Sequence, residues 1–147
     1  MFDRHEYPVN LRWTGDKQGV AESDDRLPEL GIAAPPEFGG PQHEWTPEHL
    51  LVASVASCFM TTFLAIAGNS RLEIDELEVP AVGELVRDPD RRYSLASIEL
   101  RPRILVTGGK DRAKAERIAH KADEACLISR SLRSEIVLAP TIDVAAG

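Results

Sequence analysis

Two cysteines, Cys58 and Cys126, are the residues of this 147-residue chain whose type could do redox chemistry. A thiolate that meets an oxidant becomes a sulfenic acid, and a second thiol nearby condenses with it to a disulfide. Taken alone, either cysteine is more typical of a small apolar core residue. Both are expected on helix faces directed at one small core, where they could meet. The pair therefore predicts a two-step redox device.

Reactivity at Cys58 requires a thiolate, so we expect that Cys58 needs a cation nearby to offset the cost of burying the charge. No charged residue occurs from Leu50 to Ser70, so we expect the cation from the turn with Lys17 or the loop with Arg26. Glu48 precedes Cys58 by ten residues, which is ~15 Å along a helix and too far for contact. If Glu48 serves a thiol site, either that site belongs to a partner subunit or the helix bends; otherwise Glu48 is a favourable first-turn charge.

Other chemistries have weaker support. The histidines show no ligand spacing with the two cysteines, so we expect no metal site. A Cys–His hydrolase would need a histidine held against Cys58, and nothing in the sequence places one there. Three aromatic residues are expected to pack in the core or loops, or to wall an apolar pocket: Trp13, Phe38 and Trp45.

Composition bounds the class of protein. The chain is 43% apolar and 28% charged, with a net charge of −7. We therefore expect one folded domain over residues 1–147 and no nucleic-acid or anionic membrane partner, because phosphate binding depends on clustered Lys and Arg. The first residues carry no apolar signal segment, so we expect a cytoplasmic protein whose cysteines stay reduced.

The segment from Leu50 to Ala67 has 18 residues and no charge, which just reaches the length of a membrane-spanning helix. Four hydroxyl residues dilute it and neither flank is basic, so a helix buried on all sides of a protein core is the preferred interpretation. A single small domain has difficulty wrapping such a helix. The pattern therefore favours an oligomer whose partner covers the second face.

The remaining pattern predicts an α+β fold. Residues 5–14 and 20–23 form a hairpin, residues 24–45 form a loop, and Thr46 caps the helix that ends near Ala67. Strands follow over 72–86, interrupted at Pro80 and Gly83, and over 93–106 without interruption. A helix capped by Asp111, a turn and a last strand over 135–144 complete the chain. This order predicts an antiparallel sheet.

Two blocks of the sequence resemble the OsmC/Ohr superfamily. The first runs from Thr46-Pro47-Glu48 to Cys58-Phe59 and is similar to the family's "(N/T)PE-x-LL-x-A-x(4)-C" block. The second runs from Ala119-His120 to Ser131-Leu132 around Cys126 and is similar to "AH…CP(I/V)S-x-x-L". Phe38-Gly39-Gly40 also fits, and the resemblance spans nearly the whole chain.

The resemblance implies an intertwined homodimer in which antiparallel sheets surround long buried central helices. It assigns the peroxidatic cysteine to Cys58, the resolving cysteine to Cys126 and the helix-start glutamate to Glu48, in a site at the dimer interface. The implied activity is reduction of organic hydroperoxides, with a dithiol reductant restoring the thiols and no metal or organic cofactor.

Two residues depart from the family pattern. Lys17 stands where the family often has an active-site arginine, and a lysine cannot form the bidentate pair with Glu48. Leu127 replaces the proline that usually follows the second cysteine, which leaves that segment more freedom. The first departure motivates an alternative hypothesis, an OsmC-like stress protein or small-molecule binder with little peroxidase activity.

Overall fold

The computed structural model describes residues 3–24 and 26–145, and the chain divides into two units, residues 1–50 and 51–147. The prediction of one domain over residues 1–147 is not tested by this division and stays a prediction.

A three-stranded sheet forms the first unit. Strands β1 (Asn10–Gly15) and β2 (Gln18–Glu22) pair antiparallel as the predicted hairpin, with Trp13 opposite Gly19. Strand β3 (Leu30–Ala33) pairs with β2 and lies inside the segment that was expected to be a loop. The loop prediction was wrong here because the surrounding prolines and glycines hide a strand of only four residues.

Helix α1 (Pro47–Asn69) begins as expected, because the Thr46 hydroxyl accepts the backbone N–H of His49 at 3.1 Å. One stripe of its surface is buried at four-residue spacing: Val55, Phe59, Phe63 and Ala67. Only 22% of the most apolar 18-residue stretch of α1 is buried within this chain. A single copy of the chain therefore does not bury the helix on all sides, as was expected. By length and composition alone, α1 could also span a membrane.

Two further three-stranded sheets belong to the second unit. One has the order β4 (Ile74–Glu78), β7 (Arg103–Val106) and β9 (Thr141–Val144). The other has the order β5 (Ala81–Arg87), β6 (Tyr93–Leu100) and β8 (Glu135–Leu138). The pairs β4–β7 and β5–β6 are antiparallel, whereas β6–β8 and β7–β9 are parallel. The fold is α+β as predicted, but these two sheets are mixed rather than antiparallel.

Three prolines divide what would be three long strands into these six. Pro80 separates β4 from β5, Pro102 separates β6 from β7, and Pro140 separates β8 from β9. The breaks lie side by side. The backbone N–H of Arg101 donates to the carbonyl of Pro80, and the backbone N–H of Thr141 donates to the carbonyl of Pro102. Because proline cannot donate to a strand ladder, the uninterrupted strands predicted over 93–106 and 135–144 were wrong.

Gly83 was expected to interrupt its strand, and this prediction was wrong. It lies inside β5, which continues through it. A Cβ built on Gly83 would be 2.5 Å from Cγ2 of Val52 on α1. The glycine is therefore needed for the close approach of helix and sheet.

Helices α2 (Arg112–Ala125) and α3 (Leu127–Arg130) complete the second unit. The predicted apolar face of α2 is confirmed, since Ala115, Ile118, Ala119 and Ala122 are buried in the same core cluster as the α1 stripe. Asp111 lies at the N-cap position of α2, but its side chain makes no capping hydrogen bond. The turn expected around residues 129–133 overlaps α3 only at Ser129 and Arg130, and Ser131 lies in a turn after the helix.

Candidate active site

The Cys58 side chain lies on α1 beside the buried stripe. Its neighbour Phe59 is fully buried and stacks on Phe63 with ring centroids 6.1 Å apart, which fixes the rotation of the helix. Cys58 itself is only partly buried. The thiol therefore lies at the edge of the core, where a reagent can still reach it.

The second cysteine occupies the break between α2 and α3. Cys126 has extended backbone angles (φ −67°, ψ 109°), which end α2 and start the next helical turn. Its side chain is fully buried. Leu127 and Ile128 follow as the first residues of α3, and first-turn N–H groups have no partner within their own helix. The break thus presents to the core both a thiol and N–H donors that the helix itself does not use.

The structure brings Cys58 and Cys126 together, as the sequence predicted. Burial raises the pKa of Cys58, but four donors outweigh it, and the net pKa is lowered from 9.0. These donors are the N–H of Ile128, the thiol of Cys126, the hydroxyl of Thr62 and the N–H of Leu127. Each stabilises the charged form by hydrogen bonding to sulfur.

The net pKa shift of Cys126 is in the opposite direction to that of Cys58. Burial raises the pKa of Cys126, and the hydrogen bond to Cys58 and the Cys58 charge raise it further, although Ser129 opposes them. When one proton leaves the pair, Cys58 therefore becomes the thiolate while Cys126 keeps its proton and donates to it. This asymmetry distinguishes a thiol that ionises first from one that stays protonated.

The sequence predicted a cation beside Cys58, from Lys17 or Arg26. Among the described residues, the groups that lower its pKa are all uncharged. Sequence reasoning missed these donors. Lys17 lies in the β1–β2 turn of the first unit, where its ammonium group donates to the carbonyl of Phe38 at 2.8 Å.

Glu48 lies in the first turn of α1, as expected for an acid at the positive end of a helix. Its Oε2 atom is buried, and no hydrogen-bond partner occurs within residues 3–24 and 26–145. A buried unpaired carboxylate oxygen is costly. The catalytic roles predicted for Glu48 and Lys17 remain predictions.

A shallow cavity of about 290 Å³ lies in the first unit, lined by His43, Glu44, Trp45 and His49. Trp45 therefore lines a cavity beside polar side chains, whereas the pocket expected around it was apolar. The part of the chain that the structure describes contains no cluster of three His, Cys, Asp or Glu side chains able to hold a metal ion.

The sequence profile of OsmC-like proteins matches residues 39–140. The match covers more than half of the chain, and the protein belongs to the OsmC-like family. The relatives include an organic hydroperoxide resistance protein of Xanthomonas axonopodis pv. citri, 27% identical over 138 residues that cover 92% of this chain and 94% of the relative. The uncharacterized protein YmaD of Bacillus subtilis is 26% identical over 150 residues, which cover 100% and 99%.

Solved structures have the same fold. An OsmC-like protein from Vibrio cholerae superposes with a TM-score of 0.85 at 23% identity, covering 94% of this chain and 100% of that one. The organic hydroperoxide resistance protein OhrB of Bacillus subtilis superposes with a TM-score of 0.67 at 25% identity, covering 96% and 98%. The resemblance stated from two sequence blocks is confirmed as family membership.

Proposed function

We propose that this protein reduces organic hydroperoxides with Cys58 as nucleophile and Cys126 as resolving thiol. The observation that carries the proposal is the difference in exposure and pKa between the two cysteines. Cys58 is partly exposed with a lowered pKa, and Cys126 is fully buried with a raised one. The names of several relatives as organic hydroperoxide resistance proteins support the substrate class.

The reaction would proceed in two steps. The Cys58 thiolate attacks the terminal peroxide oxygen, so that an S–O bond forms, the O–O bond breaks, and the alkoxide takes a proton and leaves as an alcohol. The sulfenic acid then condenses with the Cys126 thiol, forming the disulfide and releasing water. A dithiol reductant would restore both thiols by two exchange steps. The protein would need no organic cofactor, and a reducing cytoplasm would suit it.

The proposed activity is tested by hydroperoxide consumption. We expect reduced wild-type protein to consume one equivalent of cumene hydroperoxide, and to turn over when a dithiol such as dihydrolipoamide is added. Cys58→Ser should consume none. Cys126→Ser should consume one equivalent and accumulate a sulfenic acid on Cys58, detectable by dimedone addition. Consumption by Cys58→Ser would contradict the assignment of the nucleophile.

We further propose that the working form is a homodimer. The small buried share of α1 and the exposed apolar face of β1 support this, since Leu11 is 56% and Trp13 76% exposed. Large apolar surfaces of this kind mark interfaces. Light scattering should give twice the chain mass of 16.2 kDa. A single-chain mass at micromolar concentration would contradict it.

One observation favours the alternative of a small-molecule binder with little peroxidase activity. Lys17 occupies the position of the family's arginine, and its ammonium group is bound to a backbone carbonyl in this structure. A binder would take up ligand saturably, and the uptake would survive Cys58→Ser. Loss of hydroperoxide consumption in that variant with no ligand uptake would exclude the alternative.

A further inference from the structure

Four hydroxyl side chains along α1 differ in what they contact. Three of them donate to backbone carbonyls about one turn earlier: Ser54 at 2.7 Å, Ser57 at 3.2 Å and Thr61 at 3.0 Å. This is the usual state of a helical hydroxyl. The fourth, Thr62, lies with its Oγ1 4.0 Å from the Sγ of Cys58 instead. Thr62 is thus the one hydroxyl of these four that faces the reactive sulfur.

The geometry makes Thr62 a donor to the ionised sulfur. A thiolate can only accept hydrogen bonds, so in this contact the Thr62 hydroxyl is the donor when Cys58 is charged. Thr62 is partly buried, and a hydrogen bond to a charged group is stronger where water competes less. No charged residue from Leu50 to Ser70 could replace it locally.

We propose that Thr62 is a positioning residue that holds Cys58 in its reactive thiolate form. This inference deepens the proposed function, on which it rests for the role of Cys58. Thr62 differs from the other donors because it lies on the same helix, at i+4, and moves with the cysteine. The donors at Cys126, Leu127 and Ile128 belong to another segment and depend on how that segment packs.

The helical position gives Thr62 two expected effects. It stabilises the thiolate before attack on the peroxide. It also stabilises Cys58 as the leaving thiolate in the exchange in which the dithiol reductant attacks the Cys126 sulfur, because Cys126 is then held in the mixed disulfide and carries no proton to donate. A better-stabilised leaving thiolate departs faster. Loss of the hydroxyl should therefore slow both steps.

The test is the pH profile of Cys58 alkylation by iodoacetamide, followed at the peptide level by mass spectrometry. Thr62→Val removes the hydroxyl and keeps the shape of the side chain. We expect its profile to move to higher pH, and the rate on the acidic side of the profile to fall about three- to tenfold. Thr62→Ser keeps the hydroxyl and should restore the wild-type profile. Thr62→Ala is the second hydroxyl-free variant, for use if valine prevents folding.

Thr61→Val is the matched control, because the Thr61 hydroxyl donates to the backbone carbonyls of Ser57 and Cys58 and not to sulfur. Its profile should coincide with that of the wild type. A wild-type profile for Thr62→Val and Thr62→Ala, or an equal shift for Thr61→Val, would overturn the proposal. No peroxide enters this assay, so a shift in a protein that fails to reduce hydroperoxides would reject the proposed function and leave the role of Thr62 intact.

Discussion

Gly83 offers a direct test of how α1 is seated on its sheet. In Gly83→Ala the new Cβ would be 2.5 Å from Cγ2 of Val52 and 3.3 Å from Cδ2 of Leu95, whereas ordinary contact begins near 3.4 Å. Valine is stiff at χ1, so helix and strand must separate to relieve the first contact. Overpacking of this kind costs about 1–3 kcal/mol. Urea unfolding at fixed protein concentration should show that loss, with the midpoint moving and the slope unchanged.

Gly68→Ala is the matched control. Gly68 lies on α1 with nothing within 4 Å of its would-be Cβ, and alanine in a helix is favoured over glycine by about 0.5–1 kcal/mol. We expect this variant to be more stable than the wild type. Adding Val52→Ala to Gly83→Ala should recover part of the loss, so the double variant should be less destabilised than the sum of the singles. Wild-type stability in Gly83→Ala would refute the close packing.

Three further outcomes are expected. Thr46→Ala should lower the free energy of unfolding by about 1 kcal/mol in a urea titration, and Thr46→Ser should restore it, because the hydroxyl caps α1. Phe59→Ala should cost about 3–5 kcal/mol by the same measurement, since the ring is fully buried; a loss below 1 kcal/mol would contradict its place in the core. As pH rises from 6 toward 9, iodoacetamide should label Cys58 before Cys126, because the pKa of Cys58 is lowered and that of Cys126 raised; labelling in the reverse order would contradict the asymmetry.

The sequence predicted the helices better than the strands. Thr46 and Pro47 are local signals that determine where α1 begins, and the spacing of Ala115, Ile118, Ala119 and Ala122 determines which face of α2 is buried. The strand divisions depend on pairing between distant segments. Pro102, for example, lies within an apolar alternation, and only its place beside two other breaks shows that the strand ends there.

The two cysteines of the candidate site could be predicted from the sequence, but the hydrogen-bond donors to Cys58 could not. The two cysteines could be chosen from residue type and helix position, and the structure brings them together. The N–H groups of Leu127 and Ile128 have no side-chain signature, because they become available only where Cys126 breaks the helix. From the sequence, Thr62 was recognised only as one of the polar residues that lower the hydropathy of an apolar segment. The expectation of a cation arose because backbone donors cannot be read from residue type.

Disulfide mapping tests the central claim most directly. Reduced protein is mixed with one equivalent of cumene hydroperoxide, quenched with an alkylating agent and digested for mass spectrometry. We predict a Cys58–Cys126 disulfide formed within seconds, which migrates as a single chain on a non-reducing gel because both thiols meet inside one chain. Two free thiols after exposure, or Cys58 left as a sulfenic acid beside an untouched Cys126 thiol, would contradict the account.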